Sequence, residues 1–170
     1  MRFALLDRID VLVPGERIEA VKCLSLAEEY LADHFPQAPV LPGVMMLQSL
    51  VEAGSWLVRY GQRFERSLVT LKQVRGVKYA NFVEPGRTLQ VTAEITGTDG
   101  RETKLKAQGV VAGAVAVAAR LVLQSSNLRD SAAGDKTSQQ DAASQDAFVI
   151  ERIKQSFRLL YPSGEAALAE

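Results

Sequence analysis

The residues best suited to chemistry in this chain are one histidine and a row of polar side chains downstream of it. His34 is the only histidine among the 170 residues. Downstream of it, four polar residues follow one another at intervals of three or four positions: Gln48, Glu52, Ser55 and Arg59. If this segment is helical, all four side chains project from one face of the helix. An imidazole, a carboxylate and the unpaired N–H groups at a helix N-terminus form a workable acid–base site for a carbonyl substrate.

Two elements must position these groups. Residues 43–60 are predicted to form a helix that is apolar over most of its circumference, which is typical of a buried helix. The loop before it carries three of the six prolines, each of which fixes φ, so we expect a stiff connection. This loop is expected to hold His34 near the N–H groups that point outward from Gly43 onward. The polar row itself has two interpretations, a solvent-facing strip or the lining of an interior site.

The rest of the first 125 residues gives only strand signals, separated by Pro-Gly, Asp-Gly and Ala-Gly turns. We predict an α+β fold in which five or six mostly antiparallel strands curl around the central helix. The predicted strands are 9–13, 17–26, 68–78, 88–96, 102–111 and 114–123. We therefore assign residues 1–125 to one folded domain.

The composition changes after residue 125. Residues 126–145 are nearly all Ser, Ala, Asp, Gln and Asn, and we predict a flexible linker there. Residues 146–170 are predicted to form an amphipathic helix and tail, with Asp146 as N-cap. Its apolar row is Val149, Ile153, Phe157 and Leu160. Two roles stay open for this row: packing on its own or a neighbouring subunit, and docking a partner or covering a tunnel mouth.

Charge and cysteine content exclude several classes of protein. Lys plus Arg equal Asp plus Glu at 20 each, which argues against a general nucleic-acid binder. The single cysteine, Cys23, excludes an internal disulfide and a cysteine-cluster zinc site. Its place in an alternating run predicts a small buried residue.

No apolar run reaches the length of a membrane span, and residues 1–7 are too short an apolar run for a secretory signal. We expect a soluble, cytoplasmic protein.

The string from Asp33 to Val44 is specific enough to indicate a family. It reads Asp-His-Phe-Pro-Gln-Ala-Pro-Val-Leu-Pro-Gly-Val, and it resembles the signature of the hot-dog-fold 3-hydroxyacyl-[acyl-carrier-protein] dehydratases of the FabZ/FabA type. The turn at 14–17 and the Val-Glu-Pro-Gly string at 83–86 match the same family at compatible spacings. The resemblance covers about residues 5–124.

This resemblance implies a long helix wrapped by an antiparallel sheet, in a homodimer or trimer of dimers with active sites at the dimer interface. The implied reaction removes water from a 3-hydroxyacyl thioester, carried by acyl carrier protein or coenzyme A, to give the trans-2-enoyl thioester. His34 would take the C2 proton, the Gly43 N–H would polarise the thioester carbonyl, and an acid from the other subunit would protonate the leaving hydroxyl. No metal or organic cofactor is implied.

Two departures from the family pattern bear on this reading. The family places Glu or Asp at the position of Gln48, and an amide cannot usefully donate a proton to a hydroxyl. Because Glu52 lies one turn later on the same face, it is the candidate replacement acid. Where the family tends to have Phe-Arg-Arg-Pro, this chain has Tyr79-Ala80-Asn81-Phe82. The alternatives are a hot-dog thioesterase or hydratase, and a catalytically silent subunit that binds acyl groups.

Overall fold

A computed structural model describes residues 4–130 and 136–162 of the chain. Six strands and two long helices account for most of these residues. The strands are β1 (Arg8–Val13), β2 (Arg17–Cys23), β3 (Leu68–Tyr79), β4 (Thr88–Asp99), β5 (Glu102–Val111) and β6 (Ala114–Ser126). The helices are α1 (Gly43–Gly61) and α2 (Lys136–Leu160), with short 3₁₀ turns at Glu29–Leu31 and Leu128–Asp130.

The strands form one sheet in the order β1-β2-β4-β5-β6-β3, and every neighbouring pair is antiparallel. α1 packs against strands from the whole width of this sheet, from β2 to β3. The predicted α+β hot-dog architecture, a central helix wrapped by a curved antiparallel sheet, is therefore confirmed. The sheet leaves β1 and β3 as its two edge strands, and the twelve residues of β3 make it the longer edge.

The core lies between the sheet and the inner face of α1. Leu50, Ala53 and Leu57 are fully buried there. Gly54 permits the close approach, because a Cβ at that position would lie 3.2 Å from a methyl group of Leu123 on β6. Burial of this apolar face, at roughly 25 cal/mol per Å² of apolar surface, is what holds α1 in the groove of the sheet.

Three kinds of local prediction were wrong: the end points of some strands, the burial of Cys23 and the extent of the linker. β2 ends at Cys23, three residues before the predicted end, and Cys23 is exposed rather than buried. The inward position at this end of β2 is taken by Lys22, whose ammonium is paired with Glu28 at 2.6 Å and is therefore tolerated in a buried place. β4 continues to Asp99, beyond the predicted end at residue 96.

The third difference concerns the tail. α2 begins at Lys136, so the second half of the predicted linker is helical and Asp146 lies inside the helix rather than at its N-cap. Ala, Gln and Lys have high helix propensity, which favours a helix even where few side chains are buried. At the start of the predicted linker, Ser126 ends β6 and Leu128–Asp130 form a 3₁₀ turn. Residues 131–135 of the linker and the tail after 162 lie outside the described residues. No helix within 4–130 and 136–162 is long and apolar enough to cross a membrane.

Candidate active site

His34 lies in a tight turn between the first 3₁₀ turn and α1. The next residue, Phe35, has a positive φ of 54°, which is unusual for a non-glycine residue. Its carbonyl accepts a hydrogen bond of 2.8 Å from the N–H of Ala38, which closes the turn. The rings of His34 and Phe35 pack edge to face with centroids 4.5 Å apart. The turn therefore fixes the imidazole at the beginning of the proline loop.

The proline loop is fastened where it enters α1. The N–H of Leu41 donates to the carbonyl of Val83 at 2.8 Å, and Pro42 is the N-cap of the helix. The N–H groups of Met45 and Met46 both donate to the carbonyl of Pro42. The N–H of Gly43 precedes these bonds and has no hydrogen-bond partner among the described residues. A helix start leaves such donors unpaired, at the positive end of the helix dipole.

The tip of α1 is covered by one aromatic ring. An added Cβ on Gly43 would lie 3.2 Å from Cε1 of Tyr79, so the ring packs directly on the glycine. Tyr79 is the last residue of β3, and the chain beyond it is tied to β6 by the Asn81 side chain, which donates to the carbonyl of Val115 at 2.7 Å. Glycine allows this close packing, because a Cβ here would require the ring to move by a few tenths of an ångström.

His34 and Gly43 line the same cavity, which has a volume of about 280 Å³. Its walls come from the proline loop, the first turns of α1 and the segment that follows β3. The remaining lining residues are Phe35, Val40, Leu41, Met46, Tyr79, Ala80, Asn81 and Phe82. The cavity thus combines one imidazole and one free backbone donor with mostly apolar walls, and no carboxylate is among its lining residues.

Tyr79 and Asn81 are parts of this cavity that the sequence did not predict as site residues. In the sequence they appear only as a departure from the family pattern. The available signal was their position at the end of a predicted strand, close to a Pro-Gly turn. That signal does not reveal that the end of β3 lies beside the start of α1, since 36 residues separate Gly43 from Tyr79. Besides His34, Tyr79 carries the only transferable side-chain proton among the lining residues.

The polar row on α1 is divided between two environments. Gln48 is exposed and lines no part of the His34 cavity. Glu52 lies in a separate cavity of about 680 Å³ between α1 and α2, together with Arg59. Ser55 donates to the carbonyl of Val51 at 2.7 Å, which satisfies its hydroxyl within the helix. Within one chain, therefore, neither Gln48 nor Glu52 shares a cavity with His34.

The carboxylate of Glu52 accepts a hydrogen bond of 3.0 Å from the N–H of Leu5. Burial raises the pKa of Glu52 above its ordinary value, and the Leu5 bond, the nearby indole of Trp56 and the charge of Lys22 oppose that shift. The indole N–H lies close to the carboxylate without completing a hydrogen bond. The side chain is thus a partly buried acid that also fastens the N-terminal segment to α1.

Residues 11–118 match the ApeI-like family, described as ApeI dehydratase. Among curated proteins, the chain is similar to the 3-hydroxyacyl-[acyl-carrier-protein] dehydratase FabZ of Syntrophomonas wolfei. The two are 35% identical over 106 residues, which cover 62% of this chain and 74% of that protein. The corresponding FabZ of Levilactobacillus brevis is 33% identical over 116 residues, or 68% of this chain and 78% of that protein.

Solved structures show the same fold at much lower identity. The dehydratase heterocomplex ApeI:P from Xenorhabdus doucetiae matches with a TM-score of 0.60 and 17% identity, over 81% of this chain and 88% of that chain. A hypothetical thioesterase with coenzyme A from Streptococcus pneumoniae matches with a TM-score of 0.53 and 11% identity, over 70% and 84% of the two chains. The segment of α2 lies outside the residues matched by the family.

Proposed function

Because this chain belongs to the ApeI-like dehydratase family and is similar to FabZ-type dehydratases, we propose that it removes water from 3-hydroxyacyl thioesters at the His34 cavity. The product is the trans-2-enoyl thioester, and the process served is fatty-acid or related acyl-chain biosynthesis. The observation that carries the proposal is that the imidazole of His34 and the unpaired N–H of Gly43 line one cavity of about 280 Å³.

In the proposed reaction, His34 takes the proton from C2 of the substrate. Imidazole suits this role because its ordinary pKa of about 6.5 leaves it largely neutral at working pH. As the C2–H bond breaks, negative charge grows on the thioester oxygen, and the Gly43 N–H donates to that oxygen. The electron pair then forms the C2–C3 double bond while the C3–O bond breaks. The hydroxyl leaves as water once it has received a proton.

For the proton donor we propose Glu52 from the α1 helix of a second subunit, with Gln48 of that helix binding the hydroxyl. Support for Glu52 comes from burial, which raises its pKa and so favours the protonated form that a general acid needs. Its bond to Leu5 and its place under α2 weigh against this role. The phenol of Tyr79, which lines the cavity beside His34, is the competing donor within one chain.

A homodimer is proposed because the His34 cavity lies at the free edge of the sheet. The outer edge of β3 pairs with no other strand among the described residues, and an unpaired edge is suited to pairing with another chain. Large apolar side chains near this edge are exposed, which favours an interface; they include Phe35, Val44, Leu71, Tyr79 and Phe82. A partner bound there would bring its own helix α1 close to the cavity. A trimer of such dimers stays a prediction.

The substrate is proposed to arrive on acyl carrier protein, with coenzyme A as the alternative carrier. Arg75 and Lys78 are exposed on β3 and make no ion pair with the described residues, so they are available to an acidic partner. Lys72, a third basic residue on β3, is already paired with Glu102. We place the reaction in the cytoplasm.

A second candidate function is a subunit that binds acyl groups but lacks turnover by itself. The observation that favours it is the absence of a carboxylate among the lining residues of the His34 cavity, together with an amide at position 48. The similar structure from Xenorhabdus doucetiae is a dehydratase heterocomplex. For the present chain, a second hot-dog subunit that carries the acid would complete the site. Hydrolysis or hydration of a thioester in the same cavity is the remaining alternative.

The decisive assay uses the purified protein with 3-hydroxyacyl and trans-2-enoyl thioesters, on carrier protein and on coenzyme A. The absorbance of the conjugated enoyl product reports dehydration, and a thiol reagent reports hydrolysis. Enoyl formation supports the proposal. Thiol release without enoyl formation favours a thioesterase, and no reaction in either direction favours the acyl-binding subunit.

A further inference from the structure

A second cavity, larger than the His34 cavity, lies between α1 and α2. Its volume of about 680 Å³ falls within the roughly 300–1,000 Å³ typical of small-molecule sites. One wall belongs to the second half of α1, and the other to residues 148–160 of α2, outside the segment matched by the dehydratase family. The cavity is therefore a feature that α2 adds to the hot-dog domain.

Two anchors hold α2 over this cavity without filling it. At one end, the buried carboxylate of Asp146 accepts hydrogen bonds from the hydroxyl of Ser67 and the N–H of Leu128. At the other end, the fully buried ring of Phe157 stacks on Tyr60 with centroids 5.2 Å apart. The anchors are eleven residues apart, about three helical turns, and the α2 residues between them face α1 across the open space.

One wall of the cavity carries a cation with no counter-charge. The Nη1 group of Arg59 donates to the carbonyls of Ser67 at 3.1 Å and Arg66 at 3.4 Å. No carboxylate of the described residues forms an ion pair with Arg59. Burial lowers its pKa to about 10, so it stays charged at neutral pH. A partly buried charge without an opposite charge is costly, and an anion in the cavity would relieve that cost.

The rest of the lining restricts the kind of anion. Trp56, Ile153 and Leu160 give the cavity apolar walls, while Arg152 adds a second cation on α2. Glu52 lies two helical turns from Arg59, about 10 Å along the axis. Whenever Glu52 is ionised, its carboxylate repels a doubly charged head group more strongly than a singly charged one. The lining thus fits a long apolar body with one negative charge at the Arg59 end.

We propose that the α1–α2 cavity binds an aliphatic monocarboxylate, whose carboxylate pairs with Arg59 and whose chain lies between Trp56 and α2. Arg suits this role because its planar guanidinium matches the two oxygens of a carboxylate. The inference does not rest on the proposed dehydration: neither His34 nor Gly43 lines this cavity, and Glu52, which lines it and is the proposed proton donor, is not the group that binds the carboxylate.

The test uses the fluorescence of the full-length protein. Trp56 is the only tryptophan of the chain and lines the cavity, so its emission reports occupancy. Dodecanoate is titrated below its micelle concentration, with dodecanol as the uncharged probe of the same length. We expect a saturable change with dodecanoate and at least tenfold weaker binding of dodecanol. Arg59→Gln should weaken dodecanoate binding at least tenfold. Arg158→Gln, an exposed α2 arginine that does not line the cavity, should leave it within twofold.

A second variant keeps the test decisive if Arg59→Gln fails to fold by circular dichroism. Ile153→Phe places a larger side chain in the cavity and retains Arg59, and it should also weaken binding at least tenfold. Three results would overturn the proposal. The first is no change in emission with dodecanoate, and the second is binding of dodecanol as tight as that of dodecanoate. The third is dodecanoate binding that is unchanged in Arg59→Gln or in folded Ile153→Phe. Dehydration assays of the same samples report the His34 site separately, so failure of one proposal is distinguishable from failure of the other.

Discussion

The two halves of helix α1 carry cavities that are built by different physical means. At its start, the cavity is shaped by backbone constraint: a turn at Phe35, a proline loop and a glycine pressed against Tyr79. In its second half, the cavity is shaped by side-chain packing of α2, anchored through Asp146 and Phe157. In the proposed reaction, backbone constraint at the first cavity places an N–H donor for charge that develops on the substrate. The packed cleft instead surrounds the permanent charge of Arg59.

This difference teaches that the polar row on α1 is not one functional unit. Gln48 is exposed, while Glu52 and Arg59 line the cavity under α2. Residues on one helical face can therefore serve different sites when a second element covers only part of that face. Substitutions near His34 should therefore change the dehydration rate, whereas substitutions under α2 should change the free energy of unfolding.

The largest stability effect is expected for Phe157→Ala. Phe157 is fully buried and packs against Trp56, Tyr60, Phe64 and Tyr161. Loss of a buried phenylalanine typically lowers the free energy of unfolding by about 3–5 kcal/mol. Urea unfolding followed by circular dichroism measures this change. Activity at a temperature well below unfolding should stay within threefold of the wild type.

The matched control for that variant is Phe148→Ala on the same helix. Phe148 is 63% exposed, so its removal should change the free energy of unfolding by less than about 1 kcal/mol. Equal losses in the two variants would contradict the anchoring of α2 through Phe157.

The next largest effect is expected at the tip of α1. Gly43→Ala places a Cβ 3.2 Å from the ring of Tyr79 and shifts the ring or the Gly43 N–H. Since removal of a whole oxyanion donor costs about 10²–10³ in rate, a displaced donor should lower kcat by about tenfold to a hundredfold. Gly97→Ala is the control, because nothing lies within 4 Å of its added Cβ. A wild-type kcat in Gly43→Ala would show that the Gly43 N–H does not contribute to the reaction.

Glu52 tests whether the second half of α1 contributes to the reaction. Glu52→Gln retains an oxygen that accepts the Leu5 N–H but loses the proton. If Glu52 is the proton donor, kcat falls at least tenfold in both Glu52→Gln and Glu52→Ala, and Gln48→Glu keeps or raises the rate. Steady-state dehydration rates decide this.

The opposite pattern points to another donor. Full activity in Glu52→Gln, with a lower unfolding temperature only in Glu52→Ala, would make Glu52 a fastener of the N-terminal segment. Tyr79→Phe, which keeps the ring over Gly43 and removes the hydroxyl, should change kcat less than threefold on the present proposal. A larger loss would identify the phenol as the donor.

The smallest expected effect is on the pH dependence of stability. Burial raises the pKa of Glu52 in the folded protein above the unfolded value of 4.5. The stability it contributes is therefore fully present below pH 4.5 and is lost as pH rises through the folded pKa. The unfolding free energy of the wild type relative to Glu52→Gln should fall over that window. If the unfolding free energy of the wild type relative to Glu52→Gln rises or stays constant over that window, the buried position of this carboxylate is contradicted.

Much of the first cavity could be predicted from sequence because its determinants are local. Prolines at 36, 39 and 42 followed by Gly43 specify a stiff loop and a helix start without any knowledge of distant contacts. The apolar face of α1 likewise predicts its burial. The contact between Tyr79 and Gly43 depends on how β3 crosses the start of α1. This crossing is a tertiary feature, so it could not be predicted from the spacing of residues along the chain.

The second cavity could not be predicted for a related reason. Residues 136–145 contain few apolar side chains, so pattern analysis favours a linker, whereas intrinsic helix propensity and the anchors at Asp146 and Phe157 extend the helix over them. Although burial alone would raise the pKa of Asp146, hydrogen bonds from Ser67, Leu128 and Arg129 lower it. These partners lie 17 to 79 residues away, beyond the reach of local patterns.

The most direct measurement compares the dehydration rate of wild-type protein with that of His34→Ala, using a 3-hydroxyacyl thioester and the absorbance of the enoyl product. General base catalysis contributes about 10²–10⁴ in rate, so we predict a loss of at least a hundredfold in kcat, with an unfolding temperature close to that of the wild type. A folded His34→Ala protein that dehydrates the substrate at the wild-type rate would contradict the assignment of this cavity as the active site.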